Sequence, residues 1–361
     1  MITAALDNMA MDRAPTVGYS YYLLRLFDTM ARCHPESRFL VLSNAPDREG
    51  FAPNLVWLPP KPPGPGRISR FWWEKVRRPA LLKKEKVDIL ISAAGDFHPA
   101  GRIPQILAIR NPGKGIPARV AWKASRFLLF SGAALDSLQA TTGLAPERMM
   151  VLEGACWEGF GPLDTPARQL VKSRYTDGQE FFLCTDGPGP EANRINLLKA
   201  FSLFKKRQQC NMKLVITGAG RKGDLEFEKS LATYKYRRDV VVTSWLERTE
   251  LASLLASAYA LVHVPAADGY DAPVREALRS EVPVITSSGC SLRAEAGDAL
   301  LYADPSSRED IAAQMMRLYK DENLRTALIR QIRQLNPEGD WKRPAGRLWT
   351  LMGDVLGMAL G

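Results

Sequence analysis

Asp268-Gly-Tyr-Asp-Ala-Pro-Val-Arg-Glu276 is the stretch on which the fold turns. Just before it, Ala260 to Val264 is an apolar run that reads as a buried strand. Pro265 to Tyr270 is then a glycine-bearing loop. Pro273 suits the first turn of a helix, because the N–H it lacks has no intrahelical partner there anyway. Strand, loop and helix in this order put a helix N-terminus at the carboxyl end of a strand, where open α/β sheets bind ligands. The amides of Asp271, Ala272 and Val274 surround that first turn, a setting suited to phosphate. Glu276, one turn in, can accept two hydrogen bonds from a diol such as a ribose. Asp268 lies on the loop, where a sugar hydroxyl can meet it. Paired acids at this spacing also arise on ordinary surfaces; the preceding strand, the glycine and the proline favour a site.

Outward from this stretch, apolar runs alternate with helical patterns, which predicts an α/β protein of doubly wound, Rossmann-like halves. In the second half the strands are expected at Phe181–Cys184, Lys213–Thr217, Val240–Thr243, Ala260–Val264 and Val282–Ser287. The first half shows the same alternation, with strands at Ile2–Leu6, Phe39–Leu42, Val87–Ser92, Gln105–Ile109, Arg126–Ser131 and Met149–Leu152. Tyr22, Leu23, Leu26, Phe27 and Met30 mark a helix by their spacing. Glycine and proline gather between Glu158 and Gly178, so the linker is placed at 158–176. The halves are then 1–157 and 177–340, with a last apolar helix in 341–361 expected to cross back to the first half. Two such halves are expected to face a central cleft that holds the ligand.

Composition narrows the function. Lys and Arg exceed Asp and Glu by 10, which favours an anionic partner. No nucleic-acid module is visible, so nucleic acid is not the expected partner. The five cysteines form no CxxC pair and the three histidines no paired spacing, so neither a disulfide framework nor a metal site is expected. No apolar run reaches membrane-spanning length, and a cytoplasmic protein is expected, with peripheral membrane contact as an addition. Arg67 to Lys86 is basic and interleaved with Phe71, Trp72 and Trp73. The reading preferred for it is a solvated helix with its aromatics in the core; contact with anionic lipid is the alternative. Gly218-Ala-Gly220 lacks a full dinucleotide fingerprint and reads as the strand-to-helix turn beside the ligand site.

The second half resembles the retaining glycosyltransferases of the GT-B fold, the group 1 or family 4 superfamily. The matching stretches are Asn196-Leu-Leu-Lys-Ala-Phe201, Lys213-Leu-Val-Ile-Thr-Gly218, Glu250-Leu-Ala-Ser-Leu-Leu255, Asp268 to Ala277, Pro283-Val-Ile-Thr-Ser287, Ala296-Gly-Asp-Ala-Leu300 and Asp304-Pro305. The resemblance implies a nucleotide-sugar donor in the second half, a saccharide or lipid-linked glycan acceptor in the first, and transfer with retention. It makes Glu276 the ribose ligand and Asp268 the contact to the donor sugar, with Asp271 to Val274 on the diphosphate loop. Gly218, Asn193, Arg194 and Tyr270 are expected around the donor. Gly18 falls on the family's glycine turn, and Arg110 and Asn111 stand near its acceptor face. The nucleotide-sugar is a substrate; no cofactor and no metal are expected.

The chain departs from the family where it carries Pro-Arg-Lys-Asn. Here the stretch reads Pro190-Glu-Ala-Asn193, so Glu191 and Ala192 replace two cations. Preorganised cations stabilise a leaving diphosphate. Each charge-assisted hydrogen bond lost costs about 1.5–3 kcal/mol. Together they represent about 10² to 10⁴ in rate. The alternative to an enzyme is therefore a catalytically impaired GT-B pseudoenzyme that serves as a binding or scaffold partner.

Overall fold

The computed structural model describes residues 1–9, 19–43, 50–59, 71–93, 97, 101–109, 118–152, 154–185, 192–218, 225–266, 271–335 and 341–358. The chain forms two units, Met1–Gly154 with Asp340–Gly361, and Ala155–Gly339.

The strands of unit 1 are β1 (Thr3–Asp7), β2 (Arg38–Leu42), β3 (Leu55–Leu58), β4 (Ile89–Ser92), β5 (Gln105–Ala108), β6 (Arg126–Leu129) and β7 (Met149–Val151). They lie in the spatial order β3-β2-β1-β4-β5-β6-β7, all parallel. A parallel sheet is covered on both faces, which is why these strands are continuous apolar runs. Helix α1 (Tyr19–Cys33) buries Tyr22, Leu23, Leu26, Phe27 and Met30 on one face. A π-turn at Trp73–Arg77 leads into α2 (Arg78–Lys84). The aromatics there are not all in the core: Trp73 is buried, whereas Phe71, Trp72 and Val76 are 62, 51 and 46% exposed. Three successive aromatics cannot share one face of a helix that turns about 100° per residue. α3 (Ala118–Lys123) and α4 (Gly132–Thr142) follow. Ser131 caps α4 by accepting from the Ala134 amide at 3.1 Å, and Gly143 ends it at φ 65°.

Unit 2 holds β8 (Phe181–Thr185), β9 (Lys213–Thr217), β10 (Val240–Val242), β11 (Ala260–His263), β12 (Val284–Ser287) and β13 (Leu301–Ala303). Their parallel order is β10-β9-β8-β11-β12-β13. The order reverses direction beside β8, so the switch point lies between β8 and β11. Its helices are α5 (Thr165–Thr176), α6 (Arg194–Gln208), α7 (Leu225–Ala232), α8 (Arg248–Ala256), α9 (Ala272–Arg279), α10 (Arg293–Ala296), α11 (Arg308–Lys320) and α12 (Glu322–Leu335). The period of two is visible in the core. Phe182, Cys184, Leu214 and Ile216 pack with Phe201, Phe204 and Met315 on one side of the sheet. Phe181, Leu183 and Val215 pack with Leu254, Val274 and Ile332 on the other. Each such side chain stabilises the unit by about 1.5–3 kcal/mol through removal from water.

The stretch 158–176, assigned to a linker by composition, instead contains α5 and belongs to unit 2. Asp164 caps α5 by accepting from the Ala167 amide at 2.8 Å, and Pro166 sits in its first turn. The proline there starts a helix rather than interrupting the chain. After unit 2 the chain returns to unit 1 as α13 (Lys342–Leu356). Trp349 stacks on His34 at 3.8 Å between ring centres, and Trp341 lies 5.4 Å from Tyr22. Among the described residues no helix is long and apolar enough to cross a membrane.

Candidate functional site

The site is built at the carboxyl edge of the unit 2 sheet, around the start of α9. Asp271 precedes this helix but does not cap it. Its Oδ2 turns instead to the loop after β12, where it accepts from the Ser291 amide at 2.8 Å, from Ser291 Oγ, and from Cys290 Sγ at 3.5 Å. Among the described residues no side-chain cap is made at the first turn of α9, which leaves its amides to an outside acceptor.

Glu276 is 5% exposed. Its Oε1 accepts from Arg248 Nη1 at 2.9 Å. Burial pushes its carboxyl above the usual range, while Arg248 and then His263 pull it back. The Arg248 guanidinium lies 4.9 Å from the Phe160 ring and 5.7 Å from that of Trp157. Cys156 adjoins the group, its thiol pushed up by burial and by Glu276.

Two strand ends at the switch point carry buried polar atoms. His263, 4% exposed, ends β11 with Nδ1 unpartnered among the described residues. Thr185 ends β8 with Oγ1 in the same condition. A buried polar atom without a partner costs about 1–3 kcal/mol. Such atoms beside a helix start are suited to receive the polar groups of a ligand.

The remaining expected residues divide into three groups. Asn193 and Arg194 are both hydrogen-bonded within unit 2. Asn193 adopts φ 54° at the start of α6, and its Nδ2 donates to Val264 O at 2.9 Å and Pro305 O at 2.7 Å. Arg194 is buried, with Nη2 donating to Thr217 O at 3.2 Å and its guanidinium 5.5 Å from the Phe227 ring. Gly218 turns the chain after β9 at φ 70°, a conformation that favours glycine. Ala272, Pro273 and Val274 form the helix start as expected, and Ala192 is buried and uncharged. Asp268, Tyr270, Gly18, Arg110, Asn111 and Glu191 lie outside the described residues. Of the other nearby cations, Arg275 forms a two-pronged pair with Glu295 at 3.2 and 2.9 Å. Arg279 donates to Phe160 O at 2.9 Å.

Arg248, His263 and Thr185 were not singled out by the sequence reading. Arg248 had a signal: it is the first residue of α8, where the positive end of the helix dipole disfavours a cation unless an acid meets it. His263 and Thr185 were hidden inside apolar strands.

Residues 169–335 match the family model described as glycosyl transferases group 1. The chain is 25% identical over 242 residues to O-antigen chain mannosyltransferase B of Escherichia coli, covering 66% of this chain. It spans 61% of that relative's length. Among solved structures it is similar to a sucrose-phosphate synthase from Thermosynechococcus elongatus, with TM-score 0.78, 15% identity, and 99% and 100% of the two chains covered. It is also similar to Anabaena HepE in complex with UDP and glucose, with TM-score 0.76, 13% identity, and 98% and 100% covered. WaaG, described as a glycosyltransferase involved in lipopolysaccharide biosynthesis, matches with TM-score 0.74, 16% identity, and 99% and 100% covered.

Proposed function

We propose that this chain, whose residues 169–335 match the group 1 glycosyltransferase model and whose fold is similar to GT-B structures, moves a sugar from a nucleotide-sugar donor to a saccharide or lipid-linked glycan with retention of configuration. One observation carries the reading. A buried glutamate, Glu276, sits one turn inside an uncapped helix start, beside the switch point of a parallel sheet.

The α9 amides receive the donor diphosphate, and the helix dipole favours the charge that develops there as the glycosidic bond breaks. Glu276 accepts from the ribose hydroxyls. Asp268 orients the donor sugar, and Arg110 and Asn111 face the acceptor. Anabaena HepE is solved with UDP and with UDP-glucose, which supports a nucleotide-sugar as donor class. With Ala192 uncharged, the helix start carries a larger share of phosphate binding than in relatives with cations there.

An anionic membrane is the further partner. Phe71, Trp72 and Val76 are exposed beside the exposed cations Lys75, Arg77, Lys83 and Lys84. Exposed aromatics flanked by cations suit the interface of an anionic bilayer.

Calorimetry with UDP-, GDP- and ADP-sugars tests the donor site. At least one is expected to bind, and Glu276→Gln is expected to weaken it about 10- to 150-fold, the worth of a hydrogen bond to a charged group. No binding of any of them at about millimolar concentration ends the reading. Binding without turnover on any acceptor favours the scaffold alternative.

A further inference from the structure

Glu276 is not alone in its pocket, and its companion is unusual. Arg248 stands at the first position of α8, the end of a helix where a cation is least welcome. Its guanidinium is held against the faces of Phe160 and Trp157. From there it engages one carboxylate oxygen, Oε1, at 2.9 Å. Among the described residues no donor is paired with Oε2. Buried ion pairs seldom add stability over an apolar pair of the same volume. A partly buried arginine, its side chain 12% exposed, that fixes half of a buried carboxylate and leaves the other half free is better explained by what that free half must do.

We propose that Arg248 is a positioning residue for the donor: it clamps Oε1 of Glu276 so that Oε2 is presented to the ribose hydroxyls. The proposal rests on the reading of Glu276 as the ribose ligand and adds a residue to it. Two consequences follow from the geometry. The fork of Arg248, braced by two rings, sets the rotamer of Glu276 before any ligand arrives. Its charge also opposes the burial that favours the protonated acid, and a protonated Glu276 is a poorer acceptor for a diol.

The charged and titratable groups around Glu276 bear on its pH response. Arg248 faces it from α8, His263 from β11, and Cys156 from the segment before α5. On its own helix Arg275 is paired with Glu295, and Arg279 donates to Phe160 O. β12 carries no charge over Val284–Ser287, and on α12 Arg333 is paired with Glu281. Arg248 is thus the only cationic side chain hydrogen-bonded to Glu276 among the described residues.

The test compares a nucleotide with its dideoxy counterpart, which lacks both ribose hydroxyls. The probe is whichever of UDP, GDP and ADP binds tightest, measured by calorimetry near pH 6 and near pH 8.5. In the native protein the dideoxy form is expected to bind at least about tenfold more weakly at both pH values. In Arg248→Met that preference is expected to fall below about threefold near pH 6 and to recover partly near pH 8.5, as Glu276 loses its proton. Arg248→Lys, which keeps the charge without the planar fork, is expected to lose at least about threefold of the preference and to show little pH dependence. A purely structural arginine would change affinity for both nucleotides alike and leave their ratio untouched.

A native ratio at both pH values in Arg248→Met overturns the proposal. If that variant does not fold, a native ratio in Arg248→Lys overturns it. A native ratio in Glu276→Gln instead overturns the ribose reading itself, and no binding by any of the three nucleotides overturns both.

Discussion

Asp239 accepts from two lysines, Lys213 Nζ at 2.9 Å on Oδ1 and Lys205 Nζ at 3.0 Å on Oδ2. Burial pushes its carboxyl up, but the hydrogen bonds from Lys213 and Lys205 outweigh that and hold it below the usual range. A depressed acid contributes stability that is complete above its unfolded value and is lost as pH falls through its folded one. Asp239→Asn is therefore expected to cost about 1–3 kcal/mol at neutral pH, since buried Lys205 loses its counter-charge. The acid limb of the stability curve below about pH 4 becomes shallower. Urea melts from neutral to acid pH check both. At this scale the sequence revealed residues whose role depends on near neighbours. Glu276 was legible because strand, loop, proline and glutamate are consecutive. Arg248 was not, because its partner lies 28 positions away in the chain. Asn193 was read for its place beside the donor, whereas the tie its amide makes between Val264 and Pro305 is a job no local pattern announces.

Among the elements, α13 makes the clearest prediction. It packs on α1, and Trp349 fits between that helix and β2, stacked on His34 and 6.0 Å from Phe39. Trp349→Ala is expected to destabilise unit 1 by about 3–5 kcal/mol, the usual cost of emptying a buried tryptophan site. Hydrogen exchange checks the location: α1 and β2 amides lose protection while those of residues 155–339 keep theirs. Strands were legible as elements because a parallel sheet buried on both faces leaves continuous apolar runs. Helices with weak patterns were not. α5 was hidden by the glycines and prolines around it, although Asp164 and Pro166 spell a helix start. α12 went unread despite Leu324, Leu328 and Ile332 at helical spacing; its many charges mask a narrow apolar stripe.

For the whole molecule, the excess of 10 positive charges and the exposed Phe71, Trp72 and Val76 predict a surface preference. The protein is expected to float with vesicles containing phosphatidylserine or phosphatidylglycerol and not with phosphatidylcholine alone. Phe71→Ser with Trp72→Ser should abolish flotation, and about 0.5 M salt should weaken it through screening. Equal binding to neutral vesicles would count against the proposal. The fold class was readable from alternating strands and helices, and the resemblance carried by the stretches between Asn196 and Pro305 reinforced it. The unit boundary was less so, because glycine and proline content marks turns within a unit as readily as joints between units. The return of α13 has a consequence for biosynthesis. Residues 155–339 are contiguous and need no segment made after them to complete their packing. The sheet that begins the chain must wait for Trp341 and Trp349, on the order of 10–40 s later at typical elongation rates. The amino-terminal half therefore cannot finish before the rest of the chain has been made, and it is the part that stays incomplete longest and most needs chaperone cover.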